Sequence, residues 1–499
     1  MSAGDGGPGT PRLSRDLGLA ALTATGVCAM LGAGINIVPF MIQRNVPGIG
    51  PHVPTAFLAA ALPAVLAALA YAALSSAMPR AGGSYVFASR GLNPYLGFVA
   101  SFSQWFGLSV VMGVVAYVLI PFVRDVAAEL GPGGETVAEL LERGWIRVGL
   151  ALAFLWGSVA LNLRGLKIYS GVLVPMMIVM FVLGGIVIVA GFSFDHADFA
   201  DALLAAEGVP VPAGSAAGIG IGGWLAATAI LFASFIGFDA IAQAGGEARD
   251  PGRSLPRAIG LAVAAVGAFY LLFTAAVYHA VPWQFIAERA QNTDLTAPGL
   301  LGYHLDPVWT VLIVAGAAIA LVNDLPAMLL AVSRLCFAWA ADGVFPAAVA
   351  KVSSGGRAPH VAIVLSAGVA SLSVIGCHLA GDFFLGVDIL VTSMLVNFAL
   401  MCATALVIPC RNPRLARGMK LLGTPRTRYA AAGLGLILLL VLLGVHTWRD
   451  LEGADPWYLG STLLWIWVML GASIIYLVHR LTMRRRGFDP DRVFAELPE

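Results

Sequence analysis

The sequence predicts an all-α integral membrane protein of twelve transmembrane helices, built as two five-helix halves in inverted repeat with two C-terminal helices added. Three observations predict it. Hydrophobic residues make up 59% of the 499-residue chain and charged residues only 11%. A soluble domain carries about 25% charged residues, so too few are present to cover a water-soluble body of this length. The apolar residues fall in runs long enough to cross a ~30 Å hydrocarbon core as helices, not in the alternating ~10-residue segments of a barrel. Finally, the first and sixth runs are interrupted at corresponding places.

Taken in order, the runs place spans near residues 17–42, 54–77, 94–123, 145–162 and 168–192, which form the first half, 17–192. An outer stretch, 193–222, is acidic and then rich in Gly and Pro. The second half, 223–408, holds spans near 223–244, 258–281, 307–333, 361–380 and 383–408. A basic loop, 409–428, leads to the last two spans, 429–447 and 457–480, within 429–480. Residues 1–16 and 481–499 read as tails, the first without the layout of a cleaved signal peptide because a full-length span follows it. The stretch after Ser333 keeps amphipathic character and is expected to lie along the membrane surface.

Basic residues orient these spans. Of the 29 Lys and Arg, only Arg44, Arg124, Arg143, Arg147, Arg289 and Arg449 fall on the outer side if both termini are cytoplasmic. The inner side takes the rest, including Arg12, Arg357, Arg486 and Arg492. That asymmetry predicts a multi-pass protein of the cell inner (plasma) membrane with both ends inside. A net charge of +1 leaves no electrostatic footprint for nucleic acid. The five cysteines form no CxxC pair and read as small core residues, so neither a disulfide framework nor a metal site is expected. No HExxH, GxSxG or Walker pattern occurs, so neither an enzyme nor a cofactor is expected.

Span one contains Met30-Leu31-Gly32-Ala33-Gly34-Ile35-Asn36 and then Pro39; span six contains Phe232-Ala233-Ser234-Phe235-Ile236-Gly237-Phe238-Asp239. A broken helix at membrane depth leaves backbone N–H and C=O groups unpaired, which hydrocarbon does not tolerate. Such a break survives where protein or a ligand-filled cavity satisfies those groups. Half-helix N-termini then attract a carboxylate, and unwound carbonyls accept from an ammonium. Small-residue packing between helices explains scattered glycines equally well. The matching place of the two breaks is what favours a binding site.

These residues resemble the amino acid–polyamine–organocation (APC) superfamily of transporters. Leu31-Gly32-Ala33-Gly34-Ile35 is similar to that family's span-one motif, and Pro79-Arg80-Ala81-Gly82-Gly83-Ser84-Tyr85 to its loop after span two. Gly237-Phe238-Asp239 through Glu247, Pro251 and Leu255-Pro256-Arg257-Ala258 resembles the span-six signature, in the form of the cationic amino acid branch. Ser333-Arg334 with Ala341-Asp342-Gly343-Val344-Phe345-Pro346 resembles the segment after span eight. The resemblance implies alternating access around a small-molecule substrate, an amino acid or an amine. It implies substrate carboxylate contacts to the backbone of Ala33 and Gly34 beside Gly32. Ammonium contacts are implied to carbonyls near Met30, Ala233, Ser234 and Ile236, next to Gly237. Two departures stand out: Asn36 replaces an aromatic or aliphatic residue, and Met180 stands where many members place a span-five Lys.

Three acids fall inside apolar runs: Asp239, Asp324 and Asp388. An Asp near a helix centre costs about 2.5–3.5 kcal/mol on insertion scales, so it should face a partner or a cavity. Asp239 and Asp324 are the candidates for coupling to H⁺ or Na⁺. For Asp239 a fixed role, bonded to the backbone of the break, is an equal alternative. Asp388 lies close enough to the outer end of span ten to reach the interface. Gly107 and Leu108, with Met112, on span three and Met328 on span eight are candidate pocket walls, an apolar lining that favours neutral or aliphatic side chains. Ser101, Ser103, Gln104 and Trp105 on span three are further candidates, with Ser–backbone packing an equal alternative. Glu247 with Arg249, Arg253 and Arg257 reads either as an inner-gate ion network or as a solvated basic loop. The expected function is a secondary active transporter or exchanger of amino acids. Transport of polyamines or other organic cations, and a non-cycling transporter-like sensor, are the alternatives.

Overall fold

The computed structural model describes residues 13–128, 132–213, 218–353, 358–380, 383–453, 460–485 and 497. Arg12, Arg357, Arg486 and Arg492 lie outside the described residues. The chain opens with α1 (Leu19–Met30) and α2 (Ala33–Asn45), separated by two residues. Then come α3 (Val53–Ala77), α4 (Gly83–Gly91), α5 (Pro94–Ala128), α6 (Pro132–Glu142), α7 (Gly144–Leu163) and α8 (Leu166–Ser193). A surface helix, α9 (His196–Glu207), leads to α10 (Ile221–Leu231) and α11 (Asp239–Gln243). Next stand α12 (Pro251–Ala280), the short α13 (Trp283–Ala290) and α14 (Ala297–Leu301), and α15 (Pro307–Ala341). The chain continues with α16 (His360–Ala380), α17 (Phe384–Arg411), α18 (Pro413–Ala416), α19 (Pro425–Arg428), α20 (Leu434–Gly453) and α21 (Ser461–Arg485).

Local chemistry sets many of these boundaries. Proline opens α5, α6, α12, α15, α18 and α19, where its fixed φ suits the first turn and its missing N–H is no loss. Asp195 starts α9 by accepting from the N–H groups of Ala197 (2.8 Å) and Asp198 (3.1 Å), while Asp198 returns a bond to Asp195 N–H (2.9 Å). This reciprocal cap satisfies donors the helix cannot serve itself. Among the described residues no β-strand occurs; two isolated bridges join Leu17 to Ala248 and Ala81 to Ala244.

Among the described residues, eleven helices are long and apolar enough to cross a membrane, with α1 and α2 counted as one; residues 221–235 form a shorter apolar helix. Burial grades these helices by place. The apolar window of residues 19–45 is 94% buried, that of α8 only 17%, and those of residues 425–453 and α21 28% each. The first segment therefore runs through the middle of the bundle, whereas α8, α20 and α21 turn their apolar faces outward. Around the centre, α5 packs on α15, α16 and α17, and α12 packs on α1, α3 and α8.

One expectation needs correction. The apolar run places the end of span eight near residue 333, with an amphipathic surface segment after it. Instead α15 continues to Ala341, and Arg334 is 1% exposed inside it. Its charge is met by Glu247, also buried, so the helix does not have to stop to place the guanidinium in water.

Candidate functional site

The first break is built from glycine. Leu31 N–H donates to Val27 O (2.8 Å) as the last bond of α1, and Gly32 N–H turns back to Met30 O (3.0 Å). Helix α2 then restarts at Ala33, so its first N–H groups have no partner within the helix. A Cβ at residue 32 would stand 2.1 Å from Asp324 Oδ2. Only glycine lets the Asp324 carboxyl lie against this turn. Tyr270 OH donates to Met30 O, so the last carbonyl of α1 already serves a donor from α12.

The second break follows a different course. Helix α10 tightens into a 3₁₀ turn at Phe232–Phe235, Ile236 is extended, and Gly237 has φ +136°. A Cβ at residue 237 would meet Ala29 O at 2.3 Å and Met30 N at 2.7 Å. Gly237 is thus the point where the two breaks cross. At the other contact, a Cβ at Gly34 would be 3.3 Å from Ser234 Cα. Asp239 opens α11 and accepts from Gly237 N–H (3.1 Å) and from Gln104 Nε2. A buried chain continues from there. Gln243 Nε2 donates to Gln104 Oε1 (3.2 Å) and Ser84 Oγ (2.7 Å), and Tyr71 OH shares a proton with Ser84 Oγ (2.7 Å). Asn397 Nδ2 completes it by donating to Tyr71 OH (2.6 Å).

Between the breaks lies a cavity of about 60 Å³. Met30, Gly32 and Gly34 line it from the first segment, Ala233, Ser234 and Ile236 from the second, and Asp324 and Met328 from α15. Asp324 is 2% exposed, and its Oδ1 has no hydrogen-bond partner; Ser234 Oγ has none either. Ala33 continues the backbone between the two lining glycines. Gly237 sits behind the cavity, at the crossing.

Gly107 and Leu108 do not line this space. Gly107 packs against Ser393 and Leu390 of α17, and Leu108 and Met112 are buried in the same helix. The walls on α5 are Val111, Val114, Val115 and Val118, further along the helix. Their i, i+3, i+4, i+7 spacing marks one helical face and was a signal the sequence offered. Among the span-three polar candidates, Ser101 accepts from Trp339 Nε1 (2.8 Å), Ser103 donates to Ser393 O (3.0 Å) and Trp105 donates to Ser366 Oγ (2.9 Å). These are packing bonds between helices. Asp239, with both oxygens engaged, also stands outside the cavity. Asp388 is half-buried near the start of α17, where its carbonyl meets His446 Nε2 (3.3 Å). Met180 packs beside the first break, with Asn323 Nδ2 3.3 Å from its sulfur and 2.8 Å from Cys28 Sγ. Among the described residues no group of His, Cys, Asp and Glu suits a metal ion.

The two ends of the bundle differ. At the end where α1 begins, Leu17 N–H donates to Glu247 O (2.9 Å), Arg249 N–H to Leu17 O (3.0 Å) and Gly82 N–H to Gln243 O (3.1 Å). Arg334 clasps Glu247 with two bonds, Nε to Oε2 (3.0 Å) and Nη2 to Oε1 (2.6 Å). Arg90 pairs with Asp342 at 2.6 Å, both buried. Glu247 therefore takes its partner from α15, while Arg249, Arg253 and Arg257 face outward. This end is shut. At the other end a cavity of about 450 Å³ shares Ile37, Val118 and Phe383 with the inner one. Arg124, Arg147, Arg289 and Asp294 are among the described residues that line it, and Asp294 pairs with Arg44 at 3.1 Å. Arg147 lies over the Tyr117 ring at 3.8 Å, and Arg289 pairs with Glu207. Helices α13 and α14 form part of this wall; nothing in the apolar pattern of the sequence distinguished them from loop.

A bundle of apolar helices with two crossing breaks, closed at one end and open through a vestibule at the other, defines a small-molecule membrane transport protein. The chain belongs to the amino acid permease family, whose model matches residues 17–475, within the APC superfamily. It is 24% identical over 489 residues to the branched-chain amino acid permease BcaP of Bacillus subtilis, covering 95% of this chain and 94% of that one. It is 27% identical over 365 residues to the vacuolar cationic amino acid transporter 2 of Arabidopsis thaliana, covering 71% of this chain and 54% of the relative. Similarity to the methylthioribose transporter of Bacillus subtilis is 23% over 476 residues, 94% of each chain. The chain thus spans about half the length of the Arabidopsis relative and nearly all of the two Bacillus relatives.

Proposed function

We propose that this protein is a secondary active transporter of amino acids with aliphatic side chains, working by alternating access across the cell inner membrane. The observation that carries the reading is the cavity at the crossing of the two breaks, where a lone carboxyl, a helix start and a wall of valines meet. The substrate ammonium pairs with Asp324 and the carbonyls of Met30, Ala233 or Ile236. Its carboxylate takes the N–H groups of Ala33 and Gly34, favoured by the helix dipole. Its side chain packs against the α5 valines, Ile37, Val387 and Leu390. The interrupted segment 221–243 counts as span six, giving twelve spans in two inverted halves, with the shut end and both termini facing the cytoplasm. Named as a branched-chain amino acid permease, the Bacillus relative supports the aliphatic preference.

A polyamine or organic cation is the second reading, favoured by the Asp324 carboxyl. The valine wall opposes it, because a second ammonium of a polycation would meet only aliphatic side chains among the described α5 and α17 residues that line the cavity. A cavity of about 60 Å³ is well below the roughly 150 Å³ that accommodates a benzene ring. A leucine enters only as its walls part, which couples binding to the conformational cycle. Burying a leucine side chain is worth about 1.5–3 kcal/mol. Leucine should therefore inhibit uptake of labelled isoleucine about 10- to 100-fold more strongly than glycine does; equal inhibition would remove the aliphatic assignment. Gly34→Leu should abolish counterflow of labelled leucine in proteoliposomes while the purified protein stays folded, since the added side chain lies against Ser234 and fills the site. Normal counterflow by that variant would sink the site. Binding by the unaltered protein without any counterflow would make it a sensor.

A further inference from the structure

Asp324 is the midpoint of the 35-residue helix α15, far from either end. Among the described residues no Lys, Arg or His lines the cavity it faces. The titratable groups near it are the Cys28 thiol from α1 and the Tyr270 hydroxyl from α12, and neither brings a positive charge. From α2 it meets Gly32, and its neighbour Asn323 turns its amide toward Cys28 and Met180. Helices α5 and α17 present only aliphatic side chains to the cavity. A carboxylate left bare at such a position costs several kcal/mol. A carrier that exposes this site to each side in turn passes through the occluded state on both legs of its cycle. On each leg the charge has to be cancelled.

We propose that the substrate ammonium and a proton compete for the Asp324 carboxylate, so that the protein exchanges one substrate for one H⁺ as an antiporter. The inference rests on the site reading above. On loading, the Asp324 O–H bond breaks and its proton leaves through the vestibule as water-borne H⁺. The carboxylate then accepts an N–H···O bond from the ammonium, which keeps all three of its protons. On release the ammonium departs, and a proton from that side restores the O–H bond for the return. No electron changes hands. Proton symport would need a second acceptor able to hold H⁺ beside a bound ammonium. Asp239 does not supply it, because it stands outside the cavity with one oxygen on Gly237 N–H and the other on Gln104.

The test uses the purified full chain in proteoliposomes loaded with a pH-sensitive dye, with the membrane potential clamped and leucine as the probe. Leucine added outside should make the lumen alkaline, one H⁺ leaving per leucine taken up. The apparent affinity for leucine should fall about tenfold per pH unit on the acid side, the limit for one-to-one competition. Asp324→Asn should lose proton movement and flatten the pH profile. Acidification of the lumen, or no pH change while labelled leucine exchanges normally, overturns the antiport. Proton movement retained in Asp324→Asn overturns it as well. Absence of both uptake and exchange by the unaltered protein fails the site reading itself, and the antiport with it.

Discussion

Arg334→Met should destabilise the protein by about 3–5 kcal/mol, the usual cost of leaving one member of a buried ion pair without the other. The substitution keeps an unbranched apolar chain of similar reach, so packing is largely conserved. What it strands is Glu247, which is wholly buried and loses both guanidinium bonds. Thermal unfolding in detergent reads the loss directly. The double variant Arg334→Met/Glu247→Leu should recover much of it, because an apolar pair of fitting volume has no charge to bury. Arg334→Lys should recover little: an ammonium is a point charge and does not reproduce the two parallel bonds of the fork. A double variant as unstable as the single one would show that the pair acts through shape rather than charge.

Gly237→Ala should destabilise the protein by about 2–5 kcal/mol, from backbone strain and overlap together. Two independent penalties meet there. The φ of +136° lies where only glycine is at ease. The new methyl would also point at Ala29 O from 2.3 Å, and a backbone carbonyl inside a helix has little room to retreat. Expression and monodispersity in detergent, compared with Gly222→Ala on an open surface of α10, give the readout. A stable Gly237→Ala protein would mean that the two breaks separate easily.

Much of this architecture was legible in the sequence because hydropathy and glycine placement report on it directly. Apolar runs marked most of the long helices to within several residues, although α12 starts seven residues earlier and α15 ends eight residues later than they suggest. Gly32 and Gly237 marked the breaks, since a side chain at either would overlap Asp324 or the Ala29 carbonyl. The misreadings share a physical origin. The apolar run of span eight stops just before Arg334, and what carries the helix on is its buried pair with Glu247, 87 positions away in the chain. Gly107 and Leu108 lie on span three near the cavity's depth, but a helix turns about 100° per residue, and the rotation of α5 is set by what it packs on. Asp239 and Asp324 looked alike as acids in apolar runs. Only the fold separates them, giving Asp239 two donors and leaving Asp324 with an unpartnered oxygen in the cavity.

The five-residue helix α11 carries a consequence for how the chain is assembled. A helix so short has no stability of its own, since nucleation costs more than one turn returns. Its ends are held from outside, by Gln104 and Ser84 side chains and by the Gly82 N–H on Gln243 O. All three anchors belong to the first 104 residues, which leave the ribosome well before residue 239. The later half of the protein therefore completes its interrupted segment on a template laid down by the earlier half. A defect in that template, such as Gln104→Leu, would surface as a failure to finish insertion.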